Sequence, residues 1–242
     1  MLEVLSKAAV VVEEALGSIL DWRPAGELEG QYALDLVADG PLCEFLVGAG
    51  FGVLSEESGL HHREREVLVV VDPVDGSTNA SRRIPYYATS LCAVDAEGAL
   101  AGLVVNLATG ERFEATRGGG ALLDGAPIAP TRVTELGEAI VGLNGLPAGH
   151  GGWAQYRTFG AAALDLCAVA CGRLDAYDAR TAPLRPWDYL AAVLVCAEAG
   201  VALVDGEGLD LVVREPGICR TPIAASTPEL LEAIRGTDPL RS

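Results

Sequence analysis

The chain has 242 residues, half of them hydrophobic, enough for a sizeable core in one large domain or two small ones. Its formal net charge of −17 gives it no general attraction for nucleic acid or for anionic membrane surfaces. An anionic substrate would be repelled as well, unless a metal or local basic groups reverse the field.

Residues 2–20 place Leu5, Ala8, Val12, Leu16 and Ile19 on one helical face, and Trp22 and Pro24 end the pattern. Glu3, Glu13 and Glu14 interrupt it with charge, so it reads as an amphipathic helix rather than a secretion signal. A second helix is expected over residues 35–47. Gly40 and Pro41 argue for a start near Asp39, with Pro41 at an early helical position. The stretch GFGVLSEESG reads as a short strand running into a loop. Val67 to Val71 is a continuous apolar strand, as expected when both faces are covered. From Tyr86 to Ile128 apolar runs alternate with the turn signals DAEG, ATGE, RGGG and LDG, which predicts a β-meander. After a change near residue 133, AIVGLNG reads as a strand and AAALDLCAVACGRLDAY as a buried helix ended by Gly172. WDYLAAVLVCAEA reads as a second apolar helix stopped by Gly200, and TPELLEAIR as a final helix capped by Thr227. The expected division is an N-terminal α+β half over residues 1–133 and a C-terminal α/β half over 134–242, together one catalytic unit. No run of about eighteen uncharged apolar residues predicts a membrane span. Six cysteines without a C-x-x-C pair read as small buried hydrophobes in a reducing cytoplasm.

The chemistry concentrates in DPVDGSTN, where the valine strand ends in Asp72 and Asp75. Two carboxylates so close raise each other's pKa, and a bound cation would offset that repulsion. Gly76 permits a sharp turn, and Ser77 and Thr78 are good helix starters whose free N–H groups would face an anion. Taken alone, this segment fits an Asx-rich turn capping a helix as well as it fits a metal and phosphate site. Glu56 and Glu57 in the loop SEESG, and Asp188 in the first turn of an apolar helix, are ordinary when read singly. The ligand spacing of a calcium-binding EF-hand loop is absent.

Together the three segments are specific. DPVDGSTN, WDYLAAVLVCAEAG and SEESG occur in the order and detail of the inositol monophosphatase family, which the chain resembles over roughly residues 5–230. The resemblance implies a layered α-β-α-β-α sandwich of mixed α/β (α+β) class, and a magnesium-dependent, lithium-sensitive phosphatase. Carried over position by position, it implies that Glu56, Asp72, Asp75, Asp188 and the Val74 carbonyl hold two or three Mg²⁺ ions, or Mn²⁺ in their place. Ser77 and Glu56 would orient and deprotonate a metal-activated water, with Asp35, or its competitor Asp39, supporting that network. Gly76, Ser77, Thr78, Ala161, Arg185, Asp75 and Asp188 would contact substrate. The expected partner is a small polyol or sugar phosphate, with no nucleic acid and no membrane, and the expected assembly is a homodimer.

The departures from the family pattern are Ser55 for glycine, Gln31-Tyr32 for a lysine and a hydroxyl residue, and Gly160-Ala161-Ala162 for Gly-Ser-Ala. The segment DARTAPLRP also lacks the acidic residue of inositol-specific members, so Arg180 or Arg185 is a candidate to face the leaving group. Histidinol phosphate, fructose 1,6-bisphosphate and 3′-phosphoadenosine nucleotides therefore stay open as substrates. A non-catalytic relative that binds a ligand or partner, and a Ca²⁺-binding structural protein, are the readings from other classes.

Overall fold

A computed structural model of the chain describes residues 1–19, 22 and 32–239. Pro24 and Gln31 lie outside the described residues. The elements run α1 (Leu2–Gly17), α2 (Ala33–Gly48), β1 (Gly52–Ser55), β2 (Gly59–His61), β3 (Leu68–Asp75), α3 (Ser77–Arg82), β4 (Ala88–Asp95), β5 (Gly98–Asn106), β6 (Arg112–Thr116), β7 (Gly120–Leu123) and β8 (Ala126–Pro127). A 3-10 turn at Leu136–Glu138 leads into β9 (Ile140–Leu143), β10 (Gln155–Arg157), α4 (Ala162–Ala170), β11 (Ala176–Asp178), α5 (Pro186–Ala199), β12 (Ala202–Asp205), β13 (Pro222–Ala225) and α6 (Pro228–Arg235).

Among the described residues the strands form two sheets. One has eight strands in the order β2-β1-β3-β4-β5-β6-β7-β8, and the other has five in the order β10-β9-β11-β13-β12. Helices α1 and α2 cover one face of the large sheet, α4 and α5 lie between the two sheets, and α6 covers the outer face of the small one. This is the five-layer α-β-α-β-α arrangement of a mixed α/β chain. Residue alternation along the strands shows why both faces of the central strands must be apolar. In β3, Val69 and Val71 join the core under α1 and α2, whereas Leu68 and Val70 join the core under α4 and α5. In β13, Ala224 faces the middle layer while Ile223 and Ala225 face α6. At Gly102 of β5 an added Cβ would lie 2.7 Å from the Ala191 carbonyl oxygen, so the absence of a side chain lets α5 lie close on the sheet.

Most elements fall where the sequence places them, including the final helix, where Thr227 Oγ1 accepts the Leu230 N–H at 3.2 Å. The second helix is the exception. It starts at Ala33, not near Asp39, and Pro41 sits inside it. Its start is set by Asp35, whose Oδ2 accepts the Tyr32 N–H at 3.0 Å. Val37, Gly40 and Pro41 are exposed, so the carbonyl that proline cannot pair faces water.

Candidate functional site

Strand β3 carries its carboxylates at its C-terminal end. It pairs with β4 in register up to Asp72↔Ser90, and the register then shifts before Asp75↔Ala88. The irregularity follows from the residues between: Pro73 has no N–H for the ladder, and the Val74 N–H turns back onto Asp72 Oδ1 at 2.9 Å. The next residue, Gly76, has φ +85, and an added Cβ would lie 3.0 Å from the Gly160 carbonyl oxygen and 3.1 Å from the Ala161 Cβ. Glycine is needed here for both conformation and space. The buried Ala161 side chain packs against that turn, and the short α3 then begins at Ser77.

Two further elements deliver acids to the same place. Glu56 follows β1, and its N–H donates to the Val71 carbonyl at 3.2 Å, which fixes the loop against β3. Asp188 is the third residue of α5, and its Oδ2 accepts the Arg185 N–H at 2.7 Å. Ser90 brings this helix start to β3: it sits opposite Asp72, and its hydroxyl donates to the Trp187 carbonyl at 3.0 Å. As a result, carboxylate oxygens of Glu56, Asp72 and Asp188 lie within 4.8 Å of one another.

Electrostatics agree with this crowding. Burial, then the charges of Glu56, Asp75 and Asp188, push Asp72 well above the usual carboxylate range. Burial and the neighbouring Asp188 and Glu57 push Glu56 up to about 8. Burial raises Asp188 to about 6 against the opposing Arg185 N–H and guanidinium. Asp35 is buried beside this group and raised to about 7, first by burial, with the Tyr32 N–H opposing and Glu57 adding to the rise. Its Oδ1 has no hydrogen-bond partner. Carboxylate oxygens that converge and repel, around a buried Asp72 and with only single backbone donors on Asp72 and Asp188, fit a hard divalent cation.

The other residues singled out by sequence are placed as follows. Asp75 is raised by burial and by Asp188, but its two oxygens accept the Ala162 and Ala163 N–H groups at 3.3 and 2.8 Å. It caps α4, whose own N-cap residue, Ala161, offers no hydroxyl. Asp39 lies behind the loop, where its Oδ1 accepts the Ser55 hydroxyl and the Cys43 thiol. Ser55 in turn accepts the Glu57 N–H at 3.1 Å, so the serine that replaces glycine here shapes the loop carrying Glu56. Thr78 is exposed, and its Oγ1 accepts the Tyr32 hydroxyl at 3.3 Å. Arg185 donates to the Pro216 carbonyl at 3.1 Å. Arg180 turns inward: it grips Asp178 bidentately and donates to the Ile234 and Thr237 carbonyls, so it does not face a leaving group.

Three residues carry the site without a reading from sequence. Ser90 is one. Asn79 ties the turn to the second half by donating to the Tyr86 and Phe159 carbonyls at 2.9 and 2.7 Å. Asp165, raised by burial to about 7, accepts the Tyr86 hydroxyl at 2.8 Å. A buried acid in the first turn of an otherwise apolar helix is the available signal for Asp165. Ser90 and Asn79 act through tertiary contacts that local pattern does not encode.

Comparison with known proteins gives a consistent picture. The model of the inositol monophosphatase family matches residues 47–236. An inositol-1-monophosphatase of Caulobacter vibrioides is 32% identical, covering 97% of this chain and 99% of its own. A fructose-1,6-bisphosphatase of Pyrococcus furiosus is 30% identical over 90% of this chain and 86% of its own. Among solved structures, a Pyrococcus horikoshii protein described as having similarities to inositol-1 monophosphatase superposes with a TM-score of 0.87. It is 26% identical, covering 98% of this chain and 99% of its own.

Proposed function

The chain belongs to the inositol monophosphatase family of phosphoric monoester hydrolases, and we propose that it is a Mg²⁺-dependent phosphomonoesterase for a small polyol or sugar phosphate. The observation that carries the reading is the convergence of Glu56, Asp72 and Asp188, with the buried Asp35 beside them. These three carboxylates and the Val74 carbonyl would hold the metal, with Asp75 completing the set when its oxygens are shared with the α4 N–H groups. Bound there, Mg²⁺ would supply Lewis acidity toward the phosphoryl oxygens and an acidified water.

The chain's own residues do the rest. Ser77 Oγ and the Glu56 carboxylate orient the attacking water and take its proton, and Asp35 orients the Ser77 hydroxyl. Backbone N–H groups of Gly76 and Ser77 donate to phosphoryl oxygens at the start of α3, and Thr78 lines the rim. The fixed turn at Gly76 and the Asn79 tethers hold these donors in place before substrate arrives. Asp75 and the α4 start at Ala161 face the polyol. Arg185, whose guanidinium bears on Asp188, favours a second reading in which the substrate carries another anionic group, as in a sugar bisphosphate. That reading also draws on the segment 179–185, which has no acidic residue.

We place the protein in the cytoplasm as a homodimer. All six cysteines are free, and no described helix is long and apolar enough to cross a membrane. The test is inorganic phosphate release from a panel of polyol, sugar and nucleoside monophosphates and a sugar bisphosphate, with Mg²⁺ and with chelator. Release that requires Mg²⁺ and favours one small sugar or polyol ester is expected. Equal rates in chelator, or release from none of the panel by folded protein, would refute the reading.

A further inference from the structure

A cluster of arginines lies at the opposite end of β3. A cavity of about 260 Å³ is lined by Arg63, Arg65, Leu68, Arg214 and Glu215. Leu68 opens the strand on which Asp72 lies four residues later, so roughly 13 Å of strand, at ~3.3 Å per residue, separates this cavity from the carboxylate cluster. The chain has 34 acidic and 17 basic side chains, two acids for each base. The cavity lining inverts that balance, with three arginines and one glutamate.

The arginines are not neutralised by their surroundings. Arg65 uses Nη1 to donate to the Val47 and Phe51 carbonyls at 2.7 and 2.6 Å, which anchors its guanidinium between α2 and β1. Among the described residues neither the Arg65 nor the Arg214 guanidinium forms an ion pair, although the Arg214 backbone N–H donates to Glu215 Oε2 at 3.2 Å. Arg63 reaches Glu215 at 3.7 Å, and both side chains are more than half exposed, a contact that water and salt screen. Three arginines lining one cavity, one of them anchored by backbone carbonyls, suit an anion with several oxygens. We propose that this cavity binds a compact polyanion, bearing phosphate or carboxylate groups, at a site separate from the catalytic carboxylates. The ligand displaces Glu215 from Arg63 and bridges Arg63, Arg65 and Arg214. The loop it touches also carries Pro216, whose carbonyl accepts the Arg185 guanidinium.

Calorimetric titration of pyrophosphate and, separately, citrate into metal-stripped full-length protein tests this. Without metal the catalytic carboxylates repel both probes, so saturable binding reports the arginine cavity. At least one probe is expected to bind one to one, weaken as salt rises, and lose about tenfold or more in affinity in the double variant Arg63→Ser/Arg214→Ser. Asp72→Asn should leave that affinity unchanged. The tighter of the two probes identifies whether phosphate or carboxylate is the natural group. Should the double variant not fold, Glu215→Gln replaces it and should tighten binding by removing the competing carboxylate. Binding of neither probe, or binding insensitive to these substitutions, would overturn the proposal.

Discussion

The protein holds two kinds of carboxylate inside its fold or clustered at one site, and the difference between them separates function from architecture. Asp175, Asp178 and Asp205 belong to the first kind. Asp175 accepts the Thr131 hydroxyl at 2.6 Å and the Ile140 N–H at 2.8 Å, and Asp178 is held bidentately by Arg180. Asp205 accepts the Thr221, Glu207 and Leu209 N–H groups, which together outweigh its burial and hold it below the ordinary range. Glu56, Asp72, Asp188 and Asp35 belong to the second kind. They crowd together with few donors and are all pushed upward. A buried acid that the fold satisfies stabilises the fold, whereas a group of acids that the fold leaves unsatisfied awaits a cation.

The largest test of this contrast is Asp72→Asn. It should lower Mg²⁺-dependent turnover by roughly 10³-fold or more, since a metal contributes several kcal/mol and each ~1.4 kcal/mol is tenfold. In metal-free buffer at high pH the same variant should melt above the parent protein, because the amide removes the cost of ionising a buried carboxyl among Glu56, Asp75 and Asp188. Near-parental turnover, or a lower metal-free melting point, would break the contrast. Arg180→Ala should do the reverse. Leaving Asp178 buried and unpaired should cost about 3 kcal/mol, read by denaturant titration, while turnover per folded molecule stays near parental.

The pH dependence of the metal-free protein sharpens the comparison further. Each raised acid binds its proton more tightly folded than unfolded. Its contribution is therefore fully present below the unfolded value near ~4 and is lost as pH rises through the folded one. The folded values are about 6 for Asp188, about 7 for Asp35 and about 8 for Glu56. The metal-free melting temperature should thus fall between pH 5 and pH 8.5, by about 5 °C or more at ~2–4 °C per kcal/mol. Saturating Mg²⁺ should oppose the fall, since it binds the deprotonated form. A metal-free protein more stable at pH 8.5 than at pH 5 would contradict the assignment. The smallest effect is expected at Asp205→Asn, about 1–2 kcal/mol of stability with no change in metal response, because the amide keeps one acceptor for the loop N–H groups.

Much of the molecule was legible in the sequence because local chemistry and tertiary role coincide there. The continuous valines of β3 signal a strand covered on both faces, Thr227 signals a helix start, and Gly200 signals a helix end. Glu56, Asp72 and Asp188 stand out through three short motifs that the fold brings together. What was not legible depends on contacts between distant residues. Pro41 reads as an early helical position because its missing N–H argues against a helix interior, yet an exposed helix face tolerates it. That Asp75 also caps α4 depends on residues 87 and 88 positions away. Arg180 reads as one of two arginines that could face the leaving group, and only its packing against α6 turns it inward. Ser55 reads as a minor change until Asp39 is seen beneath it.

The central claim is that the unsatisfied acids form one metal centre. Its most direct test is anomalous diffraction from crystals grown with Mn²⁺ in place of Mg²⁺. The account predicts a strong anomalous peak coordinated by Glu56, Asp72 and Asp188. A peak elsewhere in the molecule, with the three carboxylates uncoordinated at saturating metal, would contradict it.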